Sequence, residues 1–168
     1  MRLTKFTDFG LRALMRMASL PDRAFSTAEL SQEFALSRHH LTKIMSTLAQ
    51  AGIVATRRGS GGGAVLARPA SQIRLGEVVR LLETGQALVE CFQASGGACT
   101  VMGCCPLKAR LRSAEAAFLA GGEGAGRQVA AGQDADAVEG RIDRLRRERR
   151  AQPGQELEVL ARRQVALQ

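Results

Sequence analysis

Residues 26–52, STAELSQEFALSRHHLTKIMSTLAQAG, hold two helix starts separated by one short turn. Ser26-Thr27-Ala28-Glu29 is a capping box, in which the Ser26 hydroxyl and the Glu29 carboxylate satisfy backbone N–H groups that a first helical turn leaves free. A short helix is therefore expected to run to about Phe34. Ser37 caps the next helix, which carries Leu41, Ile44, Met45 and Leu48 on its inner face and ends at Gly52, where a left-handed residue is expected. Only Ala35-Leu36-Ser37 lies between the two, the connection length of a helix-turn-helix.

Upstream, Phe6, Phe9, Ala13, Leu14 and Met17 recur at helical spacing and Pro21 closes the segment, so a first helix is expected over residues 6–20. Downstream, the chain turns to strand chemistry. Ile53-Val54-Ala55-Thr56-Arg57-Arg58 and Ala64-Val65-Leu66-Ala67 flank Gly59-Ser60-Gly61-Gly62-Gly63, which reads as a hairpin with a glycine-rich tip. Three helices followed by a hairpin make a winged helix-turn-helix, so the fold class is mainly α with a small β-wing. Beyond Pro69, Ile73 and Leu75 are expected to add a short strand, and residues 75–83 a small helix carrying Val78, Val79, Leu81 and Leu82.

Charge points to the partner. The 168 residues include 24 Lys and Arg against 16 Asp and Glu, a formal charge of +8, and residues 1–80 alone carry +7 of it. A basic half built on a winged helix favours a polyanion, with double-stranded DNA foremost. There is no Trp, no Tyr and only six Phe, which disfavours binding of single strands on aromatic platforms. Two adjacent histidines, His39 and His40, give a Ser/His/Asp triad or a multi-histidine metal site almost no material, and no enzyme activity is expected. Asp8, Arg12 and Arg16 interrupt every N-terminal run long enough to be a signal-peptide core or a membrane span, so a cytoplasmic protein is expected.

In a helix-turn-helix the second helix enters the major groove with its N-terminal residues nearest the base edges. Here these are Ser37, Arg38, His39, His40, Thr42 and Lys43. Arg38 can form a bidentate bond to guanine, and the Ser, Thr and His side chains can reach a base or a phosphate. Taken alone, Arg38 and Lys43 read equally well as a solvated helix face; the capped helix before them and the wing after them favour contact. Arg57 and Arg58 stand at the base of the glycine tip, within reach of a minor groove or flanking phosphates. No Gly-Lys-Ser/Thr follows the glycines, so they form no nucleotide loop.

Cys91, Cys99, Cys104 and Cys105 all fall within fifteen residues. In a reducing compartment such clustering serves metal or redox chemistry more often than structural disulfides. Zinc sites use paired Cys-x2-Cys knuckles, and none is present; a Cys104-Cys105 dithiol would close a strained ring. Cys91-x7-Cys99-x5-Cys105 fits best an iron–sulfur cluster with three cysteines and one ligand from elsewhere. After Cys105, Pro106 suits the first position of a helix in which Leu107, Leu111, Ala114 and Phe118 keep heptad spacing, a candidate self-association seam or a face buried on its own subunit.

The opening MRLTKFTDFGLRAL, the helix start Ser37-Arg38-His39-His40-Leu41, the wing Arg58-Gly59-Ser60-Gly61-Gly62 and the cysteine loop ending Cys105-Pro106-Leu107-Lys108 together resemble the NsrR branch of the iron–sulfur winged-helix regulators, to which IscR also belongs. The resemblance covers residues 1 to about 120. It implies a homodimeric transcriptional repressor whose cluster is attacked by nitric oxide, releasing DNA and inducing genes for nitric-oxide detoxification. It further implies that Cys91, Cys99 and Cys105 are the cluster ligands, with Cys104 outside the set. Asp8 stands where some NsrR proteins supply a fourth ligand to a 4Fe–4S cluster from the other subunit. The competing reading of Asp8 is a first-turn charge paired with Arg12. IscR-type sites use a histidine three residues past the last cysteine, where this chain has Lys108, so 4Fe–4S is favoured over 2Fe–2S.

The implied organisation is a winged helix-turn-helix over residues 1–83, a cluster loop over 84–105 and a dimerisation helix over 106–120. Residues 121–168 form a Gly/Ala/Arg/Gln-rich tail, expected to be partly disordered apart from a weak helical stretch over 135–150; it departs from the leucine- and tyrosine-containing continuation of the family. Two rivals stand beside this reading: a cluster-independent redox-thiol transcription factor and a small zinc-binding adaptor that uses its wing for protein contact.

Overall fold

Thr4 opens the first helix, α1 (Lys5–Ser19), by accepting a hydrogen bond from the Thr7 backbone N–H. The computed structural model describes residues 3–59, 61–100 and 105–122, together with Gly140, Asp143, Arg144 and Arg147. The chain divides into two compact units, Met1–Gly132 and Gln133–Gln168. The four described residues of the second unit are helical, and all lie in the stretch expected to be helical. Among the described residues no helix is long and apolar enough to cross a membrane.

Both serine caps read from the sequence are in place, but the Glu29 carboxylate pairs with Arg23 instead of returning to a backbone N–H of the first turn. Ser26 accepts from the Glu29 N–H at the head of α2 (Thr27–Phe34), and Ser37 from the His40 N–H at the head of α3 (Arg38–Gln50). The turn between them uses Ala35 in a left-handed conformation (φ 51°, ψ 44°), closed by Leu36 N–H donating to the Ser31 carbonyl at 3.0 Å. The Ser31 hydroxyl also donates, to the Leu36 carbonyl at 2.6 Å, so the sharp turn has its backbone groups satisfied. At the end of α3, Gly52 takes the expected left-handed φ of +68°.

The inner faces of these helices build the core. Leu14, Met17, Leu30, Leu41, Ile44 and Leu48 are fully buried and pack around Phe25, Ile53, Ile73 and Val78. One charged pair is buried with them. Arg16 donates to Glu33 at 3.0 Å with both side chains almost wholly enclosed, and its guanidinium lies 5.0 Å above the Phe25 ring, so α1 and α2 are locked by charge as well as by apolar contact.

The wing is an antiparallel pair, β1 (Val54–Arg57) and β2 (Gly63–Leu66), with Val54 opposite Leu66 and Arg57 opposite Gly63. A bridge between Phe25 and Ala64 ties β2 to the segment before α2. Ile53 stays outside the strand, because its N–H closes α3 on the Leu48 carbonyl at 3.0 Å. Of the short strand expected at Ile73 and Leu75, an extended pair remains, Ile73 and Arg74, with a single β-bridge at Arg74; it lies between a 3-10 turn, Ala70–Gln72, and α4 (Leu75–Leu82). Ile73 is fully buried in the core, and Leu75 already begins the helix, so the extended stretch goes no further.

Pro106 occupies the first turn of α5 (Pro106–Gly121), and Gly122 caps its end. The Gly122 carbonyl accepts from the Gly76 N–H at 3.0 Å, and a Cβ at Gly122 would collide with the Gly76 backbone, so the end of α5 lies directly on the start of α4.

Candidate DNA interface and cysteine loop

The fold turns one face of α3 outward. Ser37, Arg38, His39, His40, Thr42 and Lys43 are all exposed, while Leu41, Ile44, Met45 and Leu48 are buried. At about 100° per residue, His39, Lys43, Ser46 and Gln50 stand opposite the buried stripe. Ser46 and Gln50 are exposed too and extend the polar face beyond the residues singled out from sequence. Their signal was available in the helical period, but neither carries charge. Ser37 and His40 are joined: besides the cap, the Ser37 hydroxyl lies 3.1 Å from His40 Nδ1.

Arg57 and Arg58 are exposed at the end of β1. The tip that follows is closed by Gly62 N–H donating to the Gly59 carbonyl at 2.9 Å, with Gly59 and Gly61 at φ +105° and +78°. Gly63 has a different duty. Its missing Cβ would fall 2.6 Å from the Phe25 carbonyl oxygen, so only glycine lets β2 lie against the Phe25 backbone. Phe25 N–H donates to the Ala64 carbonyl at 2.9 Å and Ala64 N–H to the Phe25 carbonyl at 2.8 Å. The wing that presents Arg57 is thus fastened to the helical body rather than free.

Cys91, Cys99 and Cys105 are free thiols, each half-buried. Cys91 lies in a 3-10 turn, Glu90–Phe92, and Cys105 is the residue before α5. Glu90 organises the segment between the first two cysteines, its carboxylate accepting from the Ala98 N–H at 2.9 Å. A Cβ at Gly97 would overlap the Glu90 side chain, so glycine is required at that bend. Arg112 of α5 stacks 5.3 Å above the Phe92 ring, which fastens the loop to the helix it leads into. Cys104 lies outside the described residues. Among the described residues no three His, Cys, Asp or Glu side chains converge closely enough to hold a metal ion, so the three thiols share a loop without forming a closed ligand cage.

Asp8 is paired with Arg12, whose guanidinium contacts both carboxylate oxygens at 3.0 and 3.1 Å, and the pair is about half exposed. The first-turn ion pair considered for this residue is therefore formed within the chain. Glu83, at the end of α4, accepts from both the Thr4 N–H (2.8 Å) and the Thr4 hydroxyl (2.9 Å). The start of α1 is thereby joined to the point where the cysteine loop departs.

On α5, Leu107 and Phe118 are 55% and 46% exposed. Ala114 is exposed and Leu111 half-buried, whereas Lys108, Glu115 and Leu119 are half-buried beside Leu111. Three of the four heptad residues, Leu107, Ala114 and Phe118, are thus exposed, and Leu111 is half-buried on its own subunit. Phe118 also borders an apolar hollow of about 430 Å³ shared with Leu11, Leu75 and Val79.

Comparison with known proteins agrees with this architecture. The Rrf2 family profile, described as iron-dependent transcriptional regulator, matches residues 3–121. CymR, the global cysteine regulator of B. subtilis, is 27% identical, with 71% of this chain and 89% of that one covered at a TM-score of 0.54. A transcriptional regulator of Listeria innocua is 30% identical over 71% of this chain and 80% of its own, also at 0.54. T. potens IscR shares the fold at 19% identity and a TM-score of 0.57, covering 77% of this chain and 83% of its own. With its winged DNA-binding helices and the match across them, the chain belongs to the Rrf2 family of transcriptional regulators.

Proposed function

We propose that the chain is a homodimeric transcriptional repressor that senses nitric oxide through an iron–sulfur cluster held by Cys91, Cys99 and Cys105. The observation that carries the reading is the placement of three free, half-buried thiols on one loop between the winged helix and α5. The donor set fits such a group in its chemistry, since thiolates are the ligands iron–sulfur clusters take. The family description, iron-dependent transcriptional regulator, supports it independently. When bound, the cluster supplies the centre that nitric oxide attacks.

The protein's own residues do the rest. Arg38, His39, Thr42 and Lys43 meet the major groove, and Arg57 and Arg58 meet the flanking backbone. Leu107, Ala114 and Phe118 form the seam between subunits, which spaces the two recognition helices about one DNA turn, ~34 Å, apart. Asp8, half-exposed on α1, is the fourth ligand, given to the partner subunit's loop after exchange of its Arg12 ion pair. Lys108 in place of a histidine supports 4Fe–4S over 2Fe–2S. A coupling of about 1–3 kcal/mol between cluster and operator suffices for regulation.

A second reading, a thiol regulator without a cluster, draws on the unconverged arrangement of the three thiols. Anaerobic purification of the full chain separates the readings. With no Trp or Tyr the protein itself absorbs little in the near ultraviolet, so visible absorption with matching iron and sulfide supports the cluster. Loss of operator binding on nitric-oxide treatment supports the sensor. Colourless protein still binding DNA is the thiol regulator, and a colourless protein with one equivalent of zinc and no DNA binding is an adaptor.

A further inference from the structure

Ser37 holds His40 through both ends of one hydrogen-bonded ring. The Ser37 oxygen accepts from the His40 backbone N–H at 3.3 Å and meets the His40 Nδ1 at 3.1 Å. A hydroxyl has one proton to give and lone pairs to receive. With a lone pair committed to the backbone N–H, the oxygen is polarised to donate its proton, and Nδ1 is the acceptor within reach. The helix field acts in the same direction. The start of α3 carries the positive end of the helix dipole, which favours the Nδ1 lone pair facing it. That arrangement leaves the ring proton for Nε2, the other nitrogen of an exposed side chain.

We propose that Ser37 fixes His40 as an Nε2–H donor that reads a purine N7 at one position of each operator half-site. The assignment rests on the DNA-binding reading above. It makes His40 a specificity-determining residue and Ser37 the residue that positions it. The chemistry favours a base edge over a phosphate. Purine N7 is a major-groove acceptor that a single ring N–H can meet, and the neighbouring phosphates have stronger partners in Lys43, Arg57 and Arg58. His39, the adjacent histidine, has no comparable cap contact among the described hydrogen bonds.

With only two histidines in the chain, long-range 1H–15N spectra of the full protein resolve both rings, and His40→Gln identifies the signal. On the alkaline side of neutrality the His40 proton is expected on Nε2. In Ser37→Ala it is expected to redistribute between the two nitrogens, and in Ser37→Thr to stay. A proton on Nδ1 in the wild type overturns the assignment.

Selection from a random duplex pool tests the readout. The wild type should enrich a motif, and His40→Ala should lose purine preference at one position per half-site while the rest of the motif persists. Replacing that purine by its 7-deaza analogue should weaken wild-type binding about threefold to tenfold, the range of one net hydrogen bond, and leave His40→Ala unchanged. An identical motif from His40→Ala, or a uniform loss of affinity with no change of motif, overturns the inference. Failure of the wild type to enrich any motif instead overturns the DNA-binding reading itself.

Discussion

Gly63→Ala tests how the wing is held. The added Cβ would lie 2.6 Å from the Phe25 carbonyl oxygen and 2.7 Å from its carbon. Both are backbone atoms that cannot rotate away, so relief requires β2 to leave the Phe25 segment. That movement breaks the two hydrogen bonds between Phe25 and Ala64, at about 1 kcal/mol each. It also begins to expose Phe25, which is fully buried and contributes about 2–3 kcal/mol when enclosed. A total loss near 3 kcal/mol follows. Gly61→Ala is the control: at φ +78° with nothing within 4 Å of the new Cβ, it carries only the left-handed penalty, about 1–2 kcal/mol. Urea unfolding followed by far-ultraviolet circular dichroism measures both, since the chain has no Trp or Tyr for fluorescence. Gly63 is the register partner of Arg57, so the same variant should weaken DNA binding at temperatures where both variants remain folded. Equal stability losses in the two variants would refute the idea that Phe25 anchors the wing.

Arg57→Ala should weaken binding to every duplex by a similar factor and reduce the slope of log affinity against log salt by about 0.9 for the phosphate contact removed. Titrations of a selected and a scrambled duplex at several salt concentrations check it, and a loss confined to the selected duplex would make Arg57 a base reader instead. Phe118→Glu places a charge at the C-terminal end of the exposed stripe of α5 and should shift the protein to monomer in sedimentation equilibrium. A dimer of unchanged stability would place the seam elsewhere.

The helices were legible because their signals are local. The caps at Ser26 and Ser37 need only residues three positions away, and both serine caps form as read, although Glu29 pairs with Arg23 and leaves the capping box half closed. The wing was legible from its glycines, although not the division of labour among them: Gly59 and Gly61 serve backbone conformation, while Gly63 serves an approach to Phe25, 38 positions earlier in sequence. Long-range contacts of this kind leave no periodic trace. The Ile73–Leu75 alternation is realised only as an extended pair with one bridge at Arg74, since Leu75 already begins α4. Arg16 is the same lesson with a charge. On α1 it reads as a solvated base, yet Glu33, 17 positions on, encloses it in the core.

The site follows the same division. The exposed head of α3 could be read from the helical period, whereas the route from the cysteine loop to that helix could not. It begins at Glu83, which accepts two hydrogen bonds from Thr4 just before the loop departs. Thr4 caps α1, and one turn on stands Asp8. Two residues further, Gly10 lets α1 close on both Leu82 and Ile44, the latter on the inner face of the recognition helix. Displacing α1 therefore disturbs the seat of α3 without any intervening loop to absorb the motion. Hydrogen bonds to a carboxylate are each worth about 1.5–3 kcal/mol, and a regulatory coupling asks for about 1–3 kcal/mol. Under the proposed regulation, the two hydrogen bonds of the Glu83 latch together match or exceed that coupling.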